Sequence, residues 1–373
     1  MSVTIKEVKS KKDMNKFIEF SYKLYKGNQY WVPPPKFDER NTLLKEKNPA
    51  FDFCIAKYWL AYKHGRVAGR IAGIINNAYV EKWGQKHARF GWIDFINDDE
   101  VVSVLMSAVE VWAKDNGMTS VHGPLGFTDM DREGMLVEGF NELGTLATIY
   151  NYEYYPMLIE NLGYKKDADW IEMEINVPNI INERVERIAK IAEKKSKLNI
   201  VRLNKSKDVL PYAKDIFELL NTAYGKLYGF VPLTEKQIKM YTKQYFGFVR
   251  PDFITLVKDS ENKLAAFGIT MPSLSKALQK ANGKLLPFGF LHLLKAMKKN
   301  DRADLYLVAV RPDLQGKGVN AVLINEMNKI YVSQGIRLVE TNPELELNHD
   351  VQGQWKYFDY RQHKRRRCYI KNI

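Results

Sequence analysis

Residues 315–318, Gln-Gly-Lys-Gly, set two glycines and a lysine at a joint between two kinds of pattern. Ahead of the joint, 305–310 (LYLVAV) is an unbroken apolar run, the mark of a strand buried on both faces. Arg311-Pro312-Asp313-Leu314 then interrupts it with turn residues. Behind the joint, Val319, Val322, Leu323, Met327 and Ile330 recur at helical spacing, with Asn325, Glu326, Asn328 and Lys329 between them. A strand feeding a glycine loop that opens a helix presents main-chain N–H groups with no partner inside the helix, at the positive end of its dipole. Glycine lets the backbone approach a ligand closely and accepts positive φ. The chemistry predicted is an oxyanion cradle, best matched to a pyrophosphate. A plain strand–turn–helix joint also tolerates GxG, but the proline and both flanking elements stand in one register and favour the cradle. The spacing is not GxxxxGK[ST], and it lies too late in the chain for the first turn of a dinucleotide-binding unit.

Other chemistries lack residues. The six histidines (64, 87, 122, 292, 349 and 363) are scattered without ligand spacing, so no metal site is expected. No GxSxG motif occurs, and His349-Asp350 has no nucleophile nearby in sequence. Carboxylates that can act as a base stand at Glu340 and Glu344, where the strand 336–341 ends.

These residues need a scaffold, and the pattern supplies one twice. The first half reads as a strand (3–8), a helix (12–25), a hairpin turning at Lys63-His64-Gly65, a strand (89–96), a helix (100–114), a strand (119–122), a helix (154–162) and a closing strand (169–176). Pro178 precedes a charged helix, 183–197, with Ile188, Ile191 and Ala192 on its apolar face. The cycle then repeats: strand 199–203, helix 208–223, a hairpin around Asp259-Ser260-Glu261-Asn262, strand 305–310, helix 319–333, strand 336–341, a short helix 348–360 and a last strand 364–371. Repetition at so long a period indicates duplication rather than a solenoid. The fold class predicted is α/β with mixed sheets, as two domains, 1–177 and 178–373. At the first-half counterpart of the glycine joint the chain reads Ile96-Asn97-Asp98-Asp99-Glu100. Three carboxylates there satisfy the helix dipole themselves and repel phosphate.

Composition sets outer bounds. The 373 residues exceed one ordinary core, and 45% hydrophobic with 27% charged residues is the balance of a folded globular chain. Cys54 and Cys368 are too few for a disulfide framework and indicate a reducing compartment. No signal-like segment opens the chain and no apolar run suits a membrane span, so a cytoplasmic location is expected. The net charge of +13 favours polyanionic partners such as coenzyme phosphates, anionic membrane or nucleic acid.

The stretch 305–333 resembles motif A of the GNAT acyltransferases, [Q/R]xxGx[G/A] behind a V-x-P strand end, at Val310, Pro312, Gln315, Gly318 and Asn320. Asn320 stands where the family has Gly or Ala. The full element order is similar to two GNAT folds in tandem. The resemblance implies acyl-CoA (acetyl or longer) as substrate, held by strand amides of Val308, Ala309 and Val310, and by Gln315, Gly316, Lys317, Gly318, Val319 and Asn320 around the pyrophosphate. It implies an N-acyltransferase in which an amine attacks the thioester directly. Tyr357 is then the expected proton donor, with Trp355 its competitor on a stricter alignment, and Asp359 stands near an expected glycine. Glu340 is the expected base, with Glu344 considered beside it. Asn342 or Asn348 would bind the pantetheine or the acceptor.

Residues 273–303 form an insertion in which Leu285, Leu286, Phe288, Phe290, Leu291, Leu293 and Leu294 are bordered by lysines. It reads either as a packed helix or as an interfacial segment suited to an aliphatic acceptor or an anionic membrane. Two alternatives to the enzyme stay open. Fem-like aminoacyl transferases also carry tandem GNAT-like domains, but they lack the pyrophosphate loop, and nucleic acid is disfavoured for that reason. A non-catalytic acyl-CoA or lipid sensor is the other. A homo-oligomer is compatible with the sequence.

Overall fold

His64 and Gly65 adopt φ of 50° and 72°, the left-handed pair that a two-residue turn between right-twisted strands requires. They join strands β2 (Cys54–Lys63) and β3 (Arg66–Asn76), so the hairpin expected from sequence is present. A computed structural model describes residues 2–179, 183–247 and 249–373. They fall into two units: Met1–Ile171 with Ser275–His292 and His363–Ile373, and Glu172–Leu274 with Leu293–Gln362.

In the first unit, β1 (Thr4–Glu7), β2, β3 and β4 (His87–Phe95) form an antiparallel run, and β4 pairs in parallel with β5 (Ser120–Gly123). Helix α1 (Lys11–Leu24) covers one face through Phe17 and Ile18; α2 (Asp99–Asp115) covers the other through Leu105, Val109 and Trp112. Strand side chains alternate between these two cores, so most of β3 is buried. Helix α3 (Tyr154–Asn161) packs on the α2 side through Tyr155, Leu158 and Ile159.

The second unit repeats the order. Helix α4 (Glu183–Lys195) is followed by β6 (Asn199–Val201), α5 (Ala213–Ala223), the hairpin β7 (Ile254–Lys258) and β8 (Leu264–Pro272), β9 (Arg302–Val310), α6 (Val319–Gln334) and β10 (Leu338–Thr341). The Asp259 carboxylate accepts from the Glu261 and Lys263 amides and fixes the hairpin turn. Helix α4 buries Val185, Ala189 and Ala192 and leaves Ile191 exposed, so the apolar face expected at Ile188, Ile191 and Ala192 is rotated.

The closing strands depart from their sequence assignment. Lys165–Asn176 is one long strand, β11 here, and Asp359–Asn372 another, β12. The end of β11 pairs with β10 of the second unit (Asn176 opposite Leu338, Glu174 opposite Glu340). The end of β12 pairs with β5 of the first unit (Tyr369 opposite Gly123, Asn372 opposite Ser120). Alternation identifies a strand but not its partner, and the two closing strands are exchanged.

Candidate active site

Strands β9 and β10 run parallel only from Arg302–Leu305 against Leu338–Thr341, and then part. The Asn342 amide donates to Leu305 O at 3.0 Å, and its side chain to Tyr306 O at 3.0 Å, pinning the point of divergence. Beyond it β9 keeps its antiparallel partner β8 through Val310. The Tyr224 hydroxyl donates to Val308 O at 3.0 Å and the Gln315 side chain to Val310 O at 3.1 Å. Residues 306, 308 and 310 thus turn their main-chain groups to the open edge. Strand alternation gives Ala309 to β8, as it does Arg311, whose amide donates to Ala265 O.

The strand leads straight into the glycine loop. Arg311 is tied to Asp259 and Asp313, and Pro312–Leu314 makes one tight turn. Gly316 and Gly318 take φ of 72° and 82°, so the positive-φ role read from sequence is met at both. Gly318 caps α6 without a side-chain bond, and no acid lies in that helix's first turn. Among the described residues, the amides of Gly316, Gly318, Val319 and Asn320 have no intramolecular acceptor. Such a row of oriented donors at a helix N-terminus has the geometry that suits an anion.

Tyr224, which meets this edge at Val308, has Glu344 and Trp355 in its neighbourhood. Tyr224 ends α5. Glu344 follows β10 and accepts from the Trp355 indole at 3.0 and 3.2 Å through its two oxygens. Burial pushes the Glu344 carboxyl up to about 7, against the pull of the indole N–H. Burial likewise raises the Tyr224 phenol to about 12, and Glu344 adds to the rise, which puts the two groups in one electrostatic neighbourhood. A carboxyl titrating near neutrality beside an open strand edge is suited to accept a proton from an amine. An apolar cavity lies at the root of the divergence, with Leu305, Met327, Val339, Trp355 and Phe358 on its wall.

The matching place in the first unit is filled. Asp98 caps α2 by accepting from the Val101 amide, Asp99 and Glu100 occupy its first turn, and Lys63 pairs with Asp98. The strand edge is occupied as well. Phe95 N donates to the Tyr155 hydroxyl at 3.0 Å, the Tyr154 hydroxyl donates to Phe95 O at 2.6 Å, and the Leu125 amide takes Phe90 O at 2.9 Å. Tyr25 donates to Asp94, which Arg70 also holds. The acid-crowded helix start was legible in sequence; the tyrosine plug was not.

A tandem GNAT protein from the clavulanic acid biosynthesis pathway superposes over 100% of this chain and 98% of its own, with a TM-score of 0.57 at 11% identity. The chain has a GNAT fold. No family model matches it. Protein YghO of Escherichia coli is 28% identical over 371 residues, 98% of this chain and 94% of that protein. A bacterial ceramide synthase of Caulobacter vibrioides is 26% identical over 296 residues, 78% of this chain and 75% of that one.

Within this GNAT fold the residues singled out from sequence have clear places. Val308 and Val310 face the open edge and Ala309 faces β8. Gln315–Gly318 form the loop, and Val319 and Asn320 open α6. Glu340 lies within β10, opposite Glu174 of β11 and beside Asp304 of β9. Tyr357 stands in the turn Trp355–Tyr357 with the Arg184 guanidinium 5.3 Å from its ring centre. Asn348 caps the single turn His349–Gln352, between Glu344 and Trp355. Tyr224 was missed: it sits in a glycine- and aromatic-rich loop with no motif, and only the fold carries it to Val308. Among the described residues no helix is long and apolar enough to cross a membrane.

Proposed function

We propose that the chain is an acyl-CoA-dependent N-acyltransferase, with 178–373 the coenzyme-binding half and 1–177 a GNAT-like half without a pyrophosphate loop. The observation that carries the reading is the contrast between two equivalent joints. One has unpartnered amides at a glycine-hinged helix start beside an open strand edge; in the other, carboxylates and tyrosines take the same donors and acceptors. In this reading the amides of Gly316, Gly318, Val319 and Asn320, with Lys317, bind the pyrophosphate, and the Val308 and Val310 edge orients the pantetheine arm. Glu344 takes the proton from the acceptor ammonium, a role its near-neutral titration suits better than Glu340, which is set among strand carboxylates. The amine nitrogen then attacks the thioester carbonyl, the carbon–sulfur bond breaks, the thiolate takes a proton from Tyr357 or Tyr224, and the proton shed by the newly acylated nitrogen restores that phenol. The likeness to a bacterial ceramide synthase supports an acceptor of lipid-like amine type.

Calorimetry with CoA and thiol release from acetyl- and long-chain acyl-CoA across an amine panel test this. Lys317→Glu is expected to weaken CoA binding about tenfold, roughly 1.4 kcal/mol, while Asp98→Asn leaves it unchanged. Equal binding by wild type and Lys317→Glu, or no CoA binding at all, rejects the assignment. Tyr224→Phe and Tyr357→Phe then separate the two candidate donors by loss of turnover at retained binding.

A further inference from the structure

We propose that residues 284–299 are a docking element for the surface of an anionic lipid bilayer. The inference stands on this segment alone and is independent of the acyl-transfer reading. The helix Gly289–Lys298 buries none of its side chains. Its outward face carries Phe290, Leu291 and Leu294, and the loop before it exposes Leu286 (79%) and Phe288 (71%). A helix on a protein surface ordinarily turns its apolar stripe inward; this one turns it to solvent.

The chain on each side of the segment is hydrogen-bonded within its own unit. The preceding helix, Ser275–Ala281, anchors its start: the Gln279 side chain donates to Gln29 O and Trp31 O, and Gly283 O accepts from the Lys36 amide. At its end Arg250 donates to Met297 O, and Asn300 to Ser273 O. Between these anchors the apolar side chains stand clear.

Charge decides which partner fits. No aspartate or glutamate occurs between Glu261 and Asp301, whereas lysines stand at 263, 276, 280, 284, 295, 298 and 299. Lys284, Lys295, Lys298 and Lys299 border the apolar face, are exposed, and make no ion pair among the described residues. Large apolar side chains ringed by these lysines match an interface whose interior is hydrocarbon and whose surface is anionic. A protein groove complementary to this face would need a dense acidic rim, and a second copy of the segment would set lysine against lysine.

Flotation of the full chain with vesicles tests the proposal. Expected is binding to vesicles of phosphatidylglycerol and phosphatidylcholine in equal parts, little to phosphatidylcholine alone, and release at about 0.5 M salt. Phe288→Glu with Leu291→Glu, and separately Lys295, Lys298 and Lys299 all to Glu, should each lower partitioning at least about tenfold. All these positions are exposed, so circular dichroism and melting should match wild type. Wild-type protein that stays unbound, or variants that float as well as wild type, overturns the proposal. So does a wild-type dimer that the Phe288/Leu291 variant converts to monomer without any change in vesicle binding.

Discussion

Glu344 joins several properties that conflict in water: it is a carboxylate, it is desolvated, and the donor facing it is an indole N–H. A folded-state pKa of about 7 against an ordinary 4.5 means that the native state holds a proton which the unfolded chain has released between those values. Stability from this group is therefore present below about pH 4.5 and lost as pH rises through 7. Glu344→Gln should thus gain about 1–3 kcal/mol of stability at pH 8 and little at pH 4, measured by denaturant unfolding at the two pH values. The same substitution should remove the rising limb near pH 7 from the profile of kcat/KM. A stabilised variant that retains the limb would place the base elsewhere.

The glycine-hinged start of helix α6 leaves its main chain unfinished. Gly318 has two reasons to be glycine. Its φ is 82°, and a β-carbon there would sit 3.1 Å from Ala192 of α4. Gly316, at φ 72°, has nothing within 4 Å. Gly318→Ala should cost about 1–2 kcal/mol, and Gly316→Ala less, by thermal or denaturant unfolding, because only the first adds crowding to backbone strain. Helix α2 starts from the same topological point and finishes itself with Asp98, Asp99 and Glu100. Charge at a helix N-terminus is local in sequence, and that is why this difference is legible in residues 96–100 alone. The tyrosines that complete the plug come from α1 and α3, far along the chain from β4, and no local pattern links Tyr25 or Tyr155 to Asp94 and Phe95.

At the scale of the whole chain, the first unit depends on a strand from the far end of the sequence. Residues 363–373 supply the antiparallel neighbour of β5 and bury Cys368 and Tyr369 completely. Removing 363–373 should abolish the protease resistance of residues 1–171 while sparing the β7–β10 sheet, as read by mass mapping of fragments. Residues 1–177 expressed alone should fail to fold stably, since the open side of β5 would expose apolar surface and unpaired main chain. A stable, cooperatively melting 1–177 fragment would count against this dependence. The amino-acid order by itself determined the repeated strand–helix cycle, the GNAT-like glycine loop and the acid-blocked first joint, because periodicity, turn chemistry and charge near a helix end act over a few residues. Tertiary structure decided the exchange of closing strands, the meeting of Tyr224 and Glu344 at the β9 edge, and the tyrosine filling of the first unit. Those outcomes depend on which distant surfaces pack together, and a strand's alternation is equally compatible with several partners.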